Sequence, residues 1–184
     1  MKLGKTLYLK GRKQWRLWLA KNHQKKKEVW LIYYRKHTGK PRIPYNDAVE
    51  EALCFGWIDS TVKKIDDEKF AQRFTPRKST SQWSEMNKER MRRLINEGKM
   101  TPAGLEKAKW PDTAKSRLKI PLNILKALKK DKKSWENFSK FPESYKRIRI
   151  GWIAAAKHRP AIFRQRLGYF LKMTSRNKRF GMVQ

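Results

Sequence analysis

The chain is poor in cysteine, in histidine and in acid. Its single cysteine, Cys54, sits among Leu53, Phe55 and Trp57, which excludes an internal disulfide and a cysteine-rich metal site. A lone thiol in apolar company reads as a small buried hydrophobe, not a nucleophile, and it suits a reducing cytoplasm. The three histidines, His23, His37 and His158, are far apart and fall in polar stretches or at helix ends. They offer no metal-ligand spacing, and neither metal nor cofactor is expected. Long apolar runs are missing as well. None approaches the ~20 residues of a membrane span, so no integral membrane segment is expected. The first ten residues, Met1 to Lys10, start basic but lack the apolar stretch of a signal peptide, and a cytoplasmic location is the expectation.

Acid is scarce against base. Sixteen Asp and Glu face forty-seven Lys and Arg, a formal net charge of +31. Residues 1–92 carry 23 basic and 10 acidic side chains, and residues 93–184 carry 24 and 6. The excess is therefore no tail on a neutral domain; the whole body is positive. Such a field attracts polyanions and repels itself. Nucleic acid, another polyanion such as an anionic membrane surface, and acidic proteins are the partners this charge admits; no oligomeric state follows from it.

What the chain does have is aromatic area: eight Trp, eight Phe and six Tyr in 184 residues, ample for one compact domain or two small lobes. Residues 6–9 read as a strand, and Trp15, Trp18 and Leu19 share a helix face. The β-branched and aromatic run Val29–Tyr34 reads as a central strand buried on both faces. A helix follows Pro44, with Asn46 as its cap and Gly56 as its stop. Residues 61–65 and 69–74 flank Asp66-Asp67-Glu68 as a hairpin. Residues 84–97 form an amphipathic helix with Met91, Leu94 and Ile95 inward and Lys88, Arg92 and Arg93 outward. Thr101-Pro102 opens the next helix. Four helices then cover about 121–131, 134–140, 142–157 and 160–173. The class is α+β: a small antiparallel sheet with helices in residues 1–110, a linker at 111–120, and a helical lobe at 121–184.

Several stretches together resemble the YdeI/OmpD-associated (bacteriocin-protection) family: residues 30–40 from Trp30 to Lys40, residues 54–60 from Cys54 to Ser60, residues 73–78 from Arg73 to Lys78, Trp83-Ser84, residues 98–104, and residues 145–159 around Trp152. The resemblance implies a bacteriocin-protection or porin-associated role. It carries over no reaction, cofactor or catalytic residue.

No catalytic constellation emerges from the residues themselves. Thr38-Gly39-Lys40 lacks the upstream glycine and the following Ser/Thr of a phosphate loop, and Pro41 stands where the helix would begin. Asp59-Ser60 lies between a helix stop and a strand, with no Gly-x-Ser-x-Gly around it. Asp59 is expected to cap a turn or to pair with Arg73 or Arg77. The candidate ligand-binding residues are Tyr34, Arg35, Lys36, Lys40, Trp57, Asp59, Ser60, Arg73 and Arg77. Lys63, Phe74, Lys78, Lys88, Arg92 and Arg93 are candidates for nucleic acid, because cations interleaved with aromatics suit single strands. Three functions stay open: a non-enzymatic cytoplasmic bacteriocin-protection or stress-associated binding protein, a sequence-nonspecific nucleic-acid binder, and a small-molecule enzyme with its site near Trp57, Asp59 and Arg77.

Overall fold

Six consecutive aliphatic or aromatic side chains leave a strand no polar face, so it must be covered on both sides. Val29–Tyr34 is such a strand. In the computed structural model, which describes residues 3–108 and 118–181, it forms β2 between β1 (Thr6–Tyr8) and β4 (Lys69–Pro76), with β3 (Trp57–Lys64) beyond β4. The expected α+β class holds, but the sheet is mixed, not wholly antiparallel: β1 runs parallel to β2. The helix α1 (Arg12–Asn22) between them carries the chain back before β2 starts, as a parallel pair requires. The hairpin β3–β4 is antiparallel, with a register irregularity between Asp59 and Val62.

Cross-strand register sorts the side chains. Val29, Leu31 and Tyr33 share one face with Phe74, Gln72 and Phe70. On this face Trp15 of α1 meets Phe74 and Trp18 meets Trp57. The buried indoles find acceptors, Trp15 at the Ala48 carbonyl and Trp57 at the His23 carbonyl, both 3.0 Å away, as buried indole N–H groups generally do. The helix α2 (Tyr45–Cys54) begins after Pro44. Asn46 is not its cap; the side-chain oxygen accepts from Arg90 at 2.8 Å instead. Gly56, at φ +72°, turns the chain out of α2 into β3, a conformation that favours glycine.

Two adjacent glutamates of α2 are nearly sealed from water, Glu50 at 4% and Glu51 at 2% exposure. A buried carboxylate is tolerated only when paired. Arg12 and Arg16, one turn apart on α1, reach Glu51 at 2.5 and 2.7 Å, and Arg12 also meets Glu50 at 3.2 Å and Asp47 at 3.3 Å. From α3 (Glu85–Asn96), Arg93 closes on Glu50 and on Glu97. Arg93, expected outward, is therefore drawn in by a carboxylate, while Ile95, expected inward, is exposed. The short helix α4 (Pro102–Lys107) starts as expected at Thr101, whose hydroxyl accepts from the Gly104 N–H at 3.3 Å and donates to the Cys54 carbonyl at 2.6 Å.

The described residues divide into two compact units. The first holds residues up to Gln82 and those from Arg90 to residue 108; the second holds Trp83–Glu89 and residues 118–181. The division falls within α3. Most of the linker expected at 111–120 lies outside the described residues. The second unit contains α5 (Leu122–Lys130), α6 (Lys132–Lys140), α7 (Glu143–Ala154) and α8 (Pro160–Ser175), with Pro at the first position of α8. Ile124, Leu128, Phe138, Phe141, Tyr145, Ile153 and Phe170 form its core. Among the described residues no helix is long and apolar enough to cross a membrane.

Arg12→Met leaves Glu51 to Arg16 alone and Glu50 to Arg93 alone and is expected to cost about 2–3 kcal/mol, the scale of lost hydrogen bonds to a charged group. Glu51→Gln instead frees Arg12 and Arg16, both partly exposed, to turn toward water, and should cost about 1 kcal/mol. Urea unfolding at pH 7 measures both losses; a larger loss for Glu51→Gln contradicts the asymmetry.

Candidate functional site

The sheet face opposite α1 brings several predicted residues together. Trp30, Ile32 and Tyr34 of β2 stand beside Arg73, Ala71 and Lys69 of β4, and Lys63 of β3 lies next to Ala71. Tyr8 of β1 meets Tyr34 edge-on at 5.1 Å. The ammonium of Lys40 lies 4.4 Å from the centre of the Tyr34 ring and that of Lys69 lies 5.7 Å away, a cation–π arrangement. Arg35 and Lys36 lie exposed just past the end of β2, in the turn that closes at Gly39. Tyr8 and Lys69 were missed in the sequence, although strand alternation places Tyr8 on this face.

The cations of this face are not idle. Arg73 grips Glu28, whose carboxyl the guanidinium holds below the usual carboxylate range, against burial and with help from the Trp30 indole. Lys40 lies 3.5 Å from Glu68, and Lys69 lies 3.5 Å from Asp66. Local acid offsets much of the positive charge.

The residues of the proposed enzyme centre are engaged in structural contacts. Trp57 is buried against Trp18 on the helix-covered face. Asp59 and Ser60 lie within β3, not at a turn. Asp59 accepts from the Tyr45 hydroxyl at 2.7 Å, and the Arg73 expected to hold it is on Glu28. Burial, followed by the Asp59 hydrogen bond and charge, pushes Tyr45 well above the usual phenol range. Ser60 is exposed, and its carbonyl accepts from Gln72 at 3.2 Å. Arg77 is buried and donates to the Ser81 and Gln82 carbonyls at 3.2 and 2.7 Å. Phe74, considered as a stacking platform for bases, is wholly buried beneath Trp15.

The remaining candidates are dispersed. Lys78 is exposed after β4. Lys88 pairs with Glu85 at 2.7 Å, Arg92 is half-buried, and Arg93 belongs to the glutamate network. The second unit has a cleft of about 350 Å³ lined by Glu85, Leu118, Lys119, Arg147, Ile150 and Ala154. Two of its charges are committed, Glu85 to Lys88 and Arg147 to Glu89 at 2.5 Å.

A different basic surface stands out at the junction of α5 and α6. Lys126, Lys129, Lys130, Lys132 and Lys133 are all exposed, and none makes an ion pair among the described residues. The one acid inside this run, Asp131, faces the start of α6, accepting from the Ser134 N–H at 3.0 Å. Lys129 lies 5.2 Å from the centre of the Trp135 ring. The signal was open to view as five lysines in eight residues around one capping aspartate.

Residues 7–107, more than half of the chain, match the family described as Domain of unknown function (DUF8412), and the chain belongs to that family. Residues 117–177 match the family described as Bacteriocin-protection, YdeI or OmpD-Associated, the family that the sequence resembles. The N-terminal stretches of that resemblance lie inside the DUF8412 match. Neither the curated proteins nor the solved structures hold a match to this chain.

Cys54 is wholly buried. Burial, with the Glu51 carboxylate, pushes its thiol up to about 11 against the pull of Arg16 and Arg12. At pH 7 the group is a thiol, not a thiolate, and poor as a nucleophile. Ellman's reagent should label the folded protein far more slowly than the urea-unfolded chain; equal rates refute an inert core cysteine.

Proposed function

We propose that this chain is a non-enzymatic binding protein that engages nucleic acid through phosphate contacts, without reading sequence, from the lysine ridge of α5 and α6. The observation that carries this reading is the set of five exposed lysines, none of them in an ion pair among the described residues. Exposed ammonium groups on long flexible stems attract phosphate as point charges and impose no base preference. The overall charge of +31 raises the local concentration of any polyanion. The description of the C-terminal family supports a bacteriocin-protection setting; we place it, or a stress-associated role, in the cytoplasm, and binding without chemistry fits it. The engagement of Trp57 in the core, of Asp59 with Tyr45 and of Arg77 with two backbone carbonyls speaks against the enzyme reading.

The sheet face supports a second, narrower reading. Tyr8 and Tyr34, flanked by Lys40 and Lys69, make a small platform on which an unpaired base stacks. Because acid offsets the cations there, it adds contact to single strands and little long-range attraction.

Fluorescence anisotropy against salt separates the two. Each phosphate neutralised on duplex contributes a slope of about −0.9 in log K against log salt, so five lysines give about −4.5. Replacing Lys129, Lys130, Lys132 and Lys133 by Gln should flatten that slope by about 3.6, equally for unrelated sequences. Tyr34→Ala should cost about 1–3 kcal/mol on single strands and leave duplex binding unchanged. No binding at about 50 mM salt and micromolar protein rejects the nucleic-acid reading, as does an unchanged slope in the Lys-to-Gln variant.

A further inference from the structure

Arg149, in the second half of α7, is only 6% exposed, yet no hydrogen bond or ion pair holds it among the described residues. Its Nε is buried without a hydrogen-bond partner, and no carboxylate or carbonyl meets its terminal nitrogens among the described residues. At their tips the other two buried cations among the described residues are engaged. Arg77 donates to two carbonyls, and Lys146, one turn before Arg149, donates to the Ser139 carbonyl at 2.9 Å and to Glu143 at 3.0 Å. A buried cation without an anion or a hydrogen bond is costly, and proteins rarely keep one.

Aromatic rings wall in the guanidinium. Its carbon lies 4.6 Å from the Phe180 ring centre, 5.5 Å from Tyr145 and 5.9 Å from Trp152. Ring faces recover part of the lost hydration but accept nothing in the plane of the N–H groups. Arg166 adds a second cation on Trp152, 4.8 Å from the ring centre. Gly181 stands at the tip. A side chain there would bring its Cβ to 2.6 Å from Nη2 and 3.0 Å from Nη1, and its φ of +80° already favours glycine. The backbone thus passes the terminal nitrogens without covering them with a side chain.

We propose that Arg149 anchors an anion site in the helical unit and receives a phosphate group on its terminal nitrogens. Two parallel N–H donors on one planar fork match two oxygens of a phosphate. The aromatic surroundings exclude water and strengthen the pairing. The site goes beyond the lysine ridge: it is a discrete position with one buried donor, and it can hold a single phosphate whether or not a polymer is attached.

The test follows the Arg149 Nε–Hε signal of the full-length protein by NMR, assigned by its loss in Arg149→Lys. Inorganic phosphate is titrated in at constant ionic strength in place of chloride. A saturable shift of that signal, with the exposed Arg176 and Arg179 signals moving only linearly, is the expected result. Gly181→Ala, which keeps the guanidinium but forces its tip to shift, should weaken phosphate about tenfold, one bidentate charge-assisted contact's worth, with the helical circular dichroism unchanged. A thymidine oligonucleotide with and without a 5′-phosphate identifies the source: saturation by the phosphorylated strand alone, at lower concentration than inorganic phosphate, assigns the site to a strand end. A linear response of Arg149 to both probes overturns the proposal, even if nucleic acid still binds the lysine ridge.

Discussion

Two glutamates that cannot reach water fix the arrangement of the first unit. Glu50 and Glu51 are consecutive, so they leave α2 about 100° apart and demand cations from different directions. Arg12 and Arg16 meet the demand from α1, and Arg93 meets it from α3. The pairing sets which turn of each helix faces the next, while Trp15, Leu19, Met91 and Leu94 fill the space around it. Apolar packing tolerates a small slide; a buried carboxylate does not, because any slide unpairs it.

The same chemistry explains how the chain spends its few acids. Arg12, Arg16, Arg73, Arg93 and Arg147 all sit on carboxylates. Lysines dominate the unneutralised surface of α5 and α6. Guanidinium is weakly hydrated and forked, which suits interior pairing, whereas an ammonium is strongly hydrated and stays outside. Lysines take carboxylates too, among them Lys40, Lys69 and Lys88, but the surface of α5 and α6 keeps its lysines free of ion pairs among the described residues.

Where a residue's surroundings are decided by its own neighbours in sequence, the fold was legible. Val29–Tyr34 has no polar face, so its central position followed; Thr101-Pro102 carries its own cap, and Arg159-Pro160 its own break. Contacts between distant segments were not legible. Arg93 on an amphipathic face looks outward until Glu50 is known to lie opposite, and Asn46 looks like a cap until Arg90 claims it. Asp59 and Ser60 resembled a turn because Gly56 precedes them, yet β3 had already begun at Trp57. Of the candidate ligand residues, Tyr34, Lys40 and Arg73 do meet on one sheet face, while Trp57 and Phe74 proved to be core. Aromatic residues alternate along strands whichever face they serve, and only the position of α1 tells the two faces apart.

The division within α3 has a consequence for how such a chain is inherited. The second family match begins at residue 117, but the second unit also needs residues 83–89: Glu89 holds Arg147, and the Glu85 side chain packs where a Cβ on Gly151 would stand. A gene fragment copied from the family boundary onward would encode α7 with Arg147 left to Glu143 alone, 3.8 Å away, and with an empty notch at Gly151. The helical unit is therefore not a self-sufficient cassette. Recombination that moved it alone would have to bring a replacement for half a helix, or pass it on only together with the chain that precedes it.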